Sequence, residues 1–386
     1  MGARTRSNGS SSATSGDLAC IVLAAGKGTR MRSARVKVLH PLLGRPLVSY
    51  PVRLARELGA DPVVAVLGHQ REAVEASLVA AFGAGTVRTV EQAEQRGTGH
   101  AVRLAMPALR RFAGIVMILY GDVPLLRRET VRALVGTARR YGCLALVTTN
   151  PPDPTGYGRI LRDQRGHVIG VVEQKDASEE ELAIGEINAG IYAAPADFLR
   201  TATAGLSASN AQGEYYLTDI VARAARSIGV SEVDADFRDV AGVNDRRQLA
   251  ESEAIMRGRI NSGWMRHVTF HDAGSTVIEP DVVIGVDVEL GHAVSLRGST
   301  RVGRAAHIDD GSILIDTVVG AGAHVAPYTV AIGAEIAAGA TVGPLAHLGA
   351  GVAAVATAGD GAPAGTAAPP ARVKRATRRA AVRARG

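Results

Sequence analysis

Residues 18–31 read LACIVLAAGKGTRM. The run from Leu18 to Ala25 has no polar side chain, which suits a strand covered on both faces, and it passes straight into a glycine-rich turn. In such a turn backbone amides approach phosphate oxygens without a Cβ in the way, while Lys27 and Arg30 offer positive charge to a polyphosphate. The spacing matches neither GxxxxGK[ST] nor GxGxxG, so the turn is a candidate phosphate cradle of another kind.

Working outward, apolar runs of strand length (PVVAVLG at 62–68, TVRTVEQ at 86–92, GIVMILYGD at 114–122, CLALVTTN at 143–150) alternate with amphipathic stretches at 46–58, 71–82, 98–110 and 128–141. That alternation predicts a mainly parallel sheet wrapped by helices. After Asn150 comes a hairpin-like stretch, GRILRDQRGHVIGVVEQK, and another strand, INAGIYAA, an excursion expected to build a wall or lid over the sheet. A polar helix from about Asp245 to Met265 leads out.

From Val268 the helical period gives way to a six-residue one. Aliphatic residues stand at Ile278, Ile284, Leu290, Leu296, Val302, Ile308 and Leu314, and Gly285, Gly291 and Gly303 follow three of them. One inward aliphatic per short strand and one small residue per corner predict a parallel β-helix of hexapeptide repeats. Beyond Leu314 the period slips, with Val319-Gly320, Ile332-Gly333, Val342-Gly343 and Leu348-Gly349 expected to keep its sense. Past Gly351 the chain turns to Ala, Gly, Thr and Pro, and no packed structure is expected.

A chain of 386 residues exceeds the usual size of one core, so two domains are expected. Cys20 and Cys143 both lie in apolar runs, which argues against a disulfide framework and for a reducing compartment. No apolar run approaches the ~20 residues that span a bilayer, and the opening MGARTRSNGSSSATSG has no apolar signal region, so a cytoplasmic protein without membrane contact is expected. The formal charge of +7 equals the seven basic residues between Arg372 and Gly386, a stretch without acids. The basic character therefore belongs to a tail, and no specific nucleic-acid partner is expected.

LAAGKGTRM followed by VKVLHPLLGRP resembles the opening of the sugar-nucleotide pyrophosphorylases. The downstream segments QAEQRGTGHA, YGDVPLL, TGYGRI, VEQKDA, EINAGIY, NAQGEYYLTD and GVNDR resemble, in order and spacing, the bacterial N-acetylglucosamine 1-phosphate uridyltransferases, in which this domain is joined to a left-handed β-helix acetyltransferase. The resemblance implies an α/β, Rossmann-like nucleotidyltransferase domain at 17–245, a linker helix at 246–267 and a short left-handed parallel β-helix at 268–351, while composition alone leads to the expectation of disordered ends at 1–16 and 352–386. It further implies magnesium as cofactor, UTP and N-acetylglucosamine 1-phosphate as substrates, and a homotrimer formed through the β-helix.

Residue by residue, the resemblance implies that Leu23, Ala24, Ala25 and Gly26 line the nucleotide, with Arg30 and Lys37 as the catalytic cations on the leaving pyrophosphate. Gln92, Gly97 and Thr98 would read the uracil, Tyr120 and Gly121 would flank the metal site, and Asp122 with Asn244 would hold magnesium. Gly158, Glu173 and Asn188 would bind the sugar. These residue types suit the chemistry: a sugar phosphate attacking the α-phosphorus brings two anions together, so charge must be cancelled, and the monoester, already ionised near pH 7, needs no general base. His40, His69 and His100 show no metal-ligand spacing and read as structural.

Two positions depart from the family pattern. Val36 stands where proline usually precedes the lysine, which is expected to loosen a loop, and Ala189 replaces a threonine, removing a hydroxyl near the acceptor. Another hexose 1-phosphate, dTTP as donor, or a non-catalytic sugar-nucleotide-binding scaffold are the competing readings. Acetyl transfer is expected to be absent: the stretch from Gly351 onward has no histidine, tyrosine or asparagine, and His347 lies in PLAHLGAG rather than in a GHLTYLGD-like segment.

Overall fold

The computed structural model describes residues 17–351 and the backbone of 353–354, which pairs as a short parallel strand with Glu335 and Ile336 although no packed structure is expected past Gly351; the rest of the expected disordered ends lies outside the described residues. The first part of the chain runs β1 (Leu18–Ala24), α1 (Ser49–Glu57), β2 (Val63–Leu67), α2 (Arg71–Phe82), β3 (Val87–Glu91), α3 (Thr98–Ala105), β4 (Ile115–Tyr120), α4 (Arg128–Tyr141) and β5 (Leu144–Thr149). The helices expected at 71–82 and 128–141 form at those bounds. The one expected at 46–58 begins only at Ser49, because 41–46 pairs as a small ribbon. The one expected at 98–110 tightens to a 3-10 turn after Ala105, where Pro107 has no N–H to continue the α-helical ladder.

The chain continues through a hairpin of β6 (Arg159–Arg162) and β7 (Val168–Val172), then β8 (Ile187–Pro195), α5 (Ala196–Ala204), α6 (Asp219–Ala225) and β9 (Val230–Asp234). The main sheet has the order β9-β5-β8-β4-β1-β2-β3. All neighbours are parallel except around β8, which runs antiparallel between β4 and β5. The excursion after Asn150 therefore does more than wall the sheet: its INAGIYAA strand enters it. Ile191 and Tyr192 point to opposite faces, both are fully buried, and only a central position covers both. Residues of β1 likewise alternate between two cores, Cys20, Val22 and Ala24 on one side and Ala19, Ile21 and Leu23 on the other.

The second part is a stack of short parallel strands in three sheets, a β-helix. Each aliphatic of the first seven hexads is buried, from Ile278 to Leu314, in one continuous core. Beyond it the stack corrects one expectation: Ile332 is exposed and Ala331 fills the interior. The cause is a shortened coil. Leu296 stacks on Leu314, eighteen residues on, but Val302 stacks on Val319 and Leu314 on Ala331, each seventeen on. One residue is lost at the corner held by Asp316, in left-handed backbone at φ 49, and the side-chain phase moves by one.

Between the two parts lies α7 (Arg246–Trp264), capped by Asp245, whose carboxylate accepts from Gln248 N at 2.8 Å. Its mean polarity hides three anchors. Arg246 Nε donates to Met31 O at 3.1 Å, Arg259 Nη1 donates to Leu125 O at 2.6 Å and pairs with buried Asp239, and Asn261 Nδ2 donates to Ala273 O and Thr276 O in the first coil. The helix is thus fastened to the glycine-rich turn at one end and to the β-helix at the other.

The coil phase has a direct test. Leu314→Ala should lower unfolding free energy by about 3 kcal/mol, whereas Ile332→Ala should cost under about 1 kcal/mol, as read from urea denaturation midpoints. Equal losses would contradict the shortened coil.

Candidate active site

The carboxyl ends of β1 and β4 open on a cavity of about 370 Å³. This is where an open α/β sheet binds ligands, since the chain leaves the strands there in loops free to carry side chains. Leu23, Ala24, Ala25 and Gly26 line one side, and the backbone at Gly26 faces open space. The turn then folds back tightly: Gly28 has φ 63, and a Cβ there would lie 2.4 Å from Cβ of Lys37. Only glycine permits that approach, and it brings Lys37 beside the glycine-rich turn.

Lys37 is the centre of the site. Its ammonium forms a short ion pair with Asp122 and donates to Asn244 Oδ1 at 3.2 Å. Asp122 follows β4, and its carbonyl accepts from Val243 N at 2.8 Å, which delivers Asn244 to the same point. Asn244 N donates to Gln248 Oε1 at 2.7 Å; it does not cap α7, because Asp245 does. Two hard oxygens thus converge on a cation, here the ammonium. Among the described residues no cluster of three or more His, Cys, Asp or Glu is arranged to hold a metal. The pair Asp122 and Asn244 fits magnesium in the manner of sites that draw their remaining ligands from water and substrate phosphates.

The opposite wall comes from α3 and the segment 210–219. Gln92 is buried, and its Nε2 donates to Gly97 O at 3.0 Å. Gly97 has φ 97, and a Cβ there would meet Tyr215 O at 2.6 Å, so NAQGEYYLTD packs directly on the start of α3. Thr98 Oγ1 accepts from Leu217 N at 3.2 Å. Burial, with the charges of Glu173 and Asp122 adding to it, pushes the Tyr120 phenol well above its ordinary range, so it stays protonated. Burial also raises the Glu173 carboxyl above its usual value, against the Thr218 hydroxyl that donates to its Oε1 at 2.9 Å.

Of the residues singled out from the sequence, Leu23, Ala24, Ala25, Gly26, Lys37, Gln92, Gly97, Thr98, Tyr120, Asp122 and Glu173 line this cavity. Gly121 lies between Tyr120 and Asp122, packed on Ala24. Arg30 is exposed and does not line the cavity. Gly158 lies beside Glu173: a Cβ there would sit 3.5 Å from its Oε2. Asn188 is buried in a bulge of β8, with Nδ2 donating to Tyr192 Oη at 2.6 Å and Oδ1 accepting from Gly190 N at 3.1 Å. It does not line the cavity.

Gln95, Ala101, Val38, Gln212, Glu214 and Tyr216 line the cavity without having been singled out. All but Val38 stand in QAEQRGTGHA or NAQGEYYLTD, and Val38 in VKVLHPLLGRP, but nothing in those strings says which side chains turn inward. Val36 departs from expectation. Its φ of −60° is what proline would impose, its side chain is buried, and its N–H is bonded to Gln70 Oε1 at 3.2 Å. The loop is held rather than loosened.

Comparison with known proteins agrees with this geometry. Residues 20–183 match the family model for a MobA-like NTP transferase domain. The bifunctional protein GlmU of Geotalea uraniireducens is 44% identical over 325 residues, covering 78% of this chain and 70% of that protein. The chain belongs to the GlmU family. Its relatives include the bifunctional protein GlmU of Sorangium cellulosum, 51% identical over 311 residues, and that of Anaeromyxobacter dehalogenans strain 2CP-1, 47% identical over 303, each match covering 78% of this chain. The matched region spans 64% and 62% of those two proteins. The chain thus carries a nucleotidyltransferase domain joined to a β-helix, and no helix among its described residues is long and apolar enough to cross a membrane.

Glu173 yields a stability prediction with a definite sign. Its folded-state pKa is raised above the ordinary 4.5, so the folded protein binds that proton more tightly than the unfolded chain. Any stabilisation linked to it is complete below the unfolded value and is lost as pH rises through the folded one. Glu173→Gln should therefore raise Tm relative to wild type at pH 8 and lose that advantage near pH 4. Scanning calorimetry at both pH values checks this; a Tm difference independent of pH would contradict it.

Proposed function

We propose that this chain transfers a uridylyl group from UTP to N-acetylglucosamine 1-phosphate, forming UDP-N-acetylglucosamine and pyrophosphate. The observation that carries this reading is the convergence of Lys37, Asp122 and Asn244 at the strand ends, in a cavity reaching from the glycine-rich turn to Glu173. A site that needed only to bind a neutral sugar would have no use for a cation and two hard oxygens beside a phosphate turn.

In this reading the nucleotide phosphates lie along Ala24 to Gly26, and Gln92, Gly97 and Thr98 meet the uracil. Glu173, with Gly158 beside it, and Asn188 meet the sugar. Magnesium bound by Asp122 and Asn244 supplies positive charge to the phosphates. An oxygen of the sugar phosphate forms a bond to the α-phosphorus in line with the departing pyrophosphate, whose bond to that phosphorus breaks. Lys37 and Arg30 offset the charge that accumulates on the leaving group, and the protein supplies no covalent nucleophile. A cation held by Asp122 and Asn244 would stand where the Lys37 ammonium now meets those two oxygens, and would leave that ammonium to the phosphates. Relatives named as bifunctional proteins support the family of chemistry, and QAEQRGTG and VEQKDA favour uridine and the acetamido sugar over the alternatives.

Pyrophosphate release over a grid of UTP and dTTP with N-acetylglucosamine 1-phosphate and glucose 1-phosphate should be fastest for UTP with the acetamido sugar and should require magnesium. Asp122→Ala should lower kcat by at least about a hundred-fold. Equal rates with both sugar phosphates, or near-wild-type turnover without Asp122, would defeat the reading.

A further inference from the structure

We infer that Gln70, outside the cavity, is a positioning residue for Lys37, acting as a clamp on the loop that carries it. Between the glycine-rich turn and Lys37 the chain passes through residues 32–35, all exposed and without a core of their own. Such a stretch is mobile unless its backbone polar groups are taken up elsewhere. Gln70 takes up two of them: Nε2 donates to Ala34 O at 2.7 Å, and Oε1 accepts from Val36 N at 3.2 Å. One side-chain amide satisfies a donor and an acceptor two residues apart, much as a neighbouring strand would.

The consequence passes to Lys37 through one further turn. Val36 O accepts from Leu39 N at 3.0 Å, so Val36 caps the 3-10 turn Lys37–Leu39. Fixing the two sides of Val36 fixes the direction of that turn, and with it the base of the lysine side chain that reaches Asp122 and Asn244. Gln70 does this from an unfavourable backbone: its φ is 53°, in the left-handed region, where glycine is the ordinary choice. A strained glutamine whose side chain made no contribution would be the less stable option. The strain and the clamp can therefore be separated by one substitution.

Gln70→Gly relieves the backbone and removes both hydrogen bonds. The activity readout rests on the function proposed above. In the full chain, Gln70→Gly should lower kcat for pyrophosphate release about three- to ten-fold, with KM for the sugar phosphate within about two-fold of wild type, while Tm stays equal or rises. Hydrogen exchange of the Val36 amide should quicken. A kcat unchanged within about two-fold, a kcat loss that follows a lowered Tm, or Val36 exchange as slow as in wild type would each overturn the clamp. A wild-type chain that released no pyrophosphate would instead fail the function reading, and Val36 exchange alone would then decide the clamp.

Discussion

The ammonium of Lys37 held between Asp122 and Asn244 is the contact on which the other arrangements converge, since it joins residues 85 and 207 positions apart. None of the three reaches the point by itself. Lys37 arrives through a glycine turn that no other residue could follow, Asp122 by the end of a central strand, and Asn244 by a backbone hydrogen bond to the Asp122 carbonyl. In a partly buried setting each charged group would be costly without its partner, so the site is stable only when all three segments are in place. The same geometry suits a divalent cation, because what satisfies an ammonium between two oxygens also satisfies a hard metal ion.

From this point the rest of the molecule follows in sequence. Asn244 precedes Asp245, which caps α7, and α7 returns Arg246 to the carbonyl of Met31 behind the glycine-rich turn. Further along, Arg259 and Asn261 hold the strand-end loop at Leu125 and the first coil of the β-helix. The ion pair of Arg45 with Asp281 adds a second link between the ribbon at 41–46 and the coils. The β-helix is thus tied to the same loops that carry the candidate chemistry, although its own core is separate.

Much of this was legible in the chain because the signals are local. An unbroken apolar run ending in glycines, and an aliphatic every sixth residue, are repeated constraints that a short window contains whole. The cavity-lining residues could be located to motifs for the same reason. What was not legible depended on insertion or phase. INAGIYAA has the same burial on both faces as any central strand, yet nothing local says that it slips antiparallel between β4 and β5. Ile332 is expected to keep the sense of the hexads beyond the slip, whereas a single residue lost at the Asp316 corner turns it outward. Val36 looked like a loosened position because its partner, Gln70, lies thirty-four residues away.

The amino-acid sequence alone determined that this chain has a doubly covered α/β sheet whose first strand ends in a glycine-rich turn, and a stacked six-residue β-helix. Those properties follow from periodicity and from residue type at short range. The tertiary structure alone decided which side chains meet: that Asn188 is already bonded within its bulge, that Tyr216 and Gln212 line the cavity, and that Lys37 bridges Asp122 and Asn244. Hydrogen bonds and ion pairs act over a few ångströms while their partners lie tens to hundreds of residues apart, so only the packed sheet can bring them within reach.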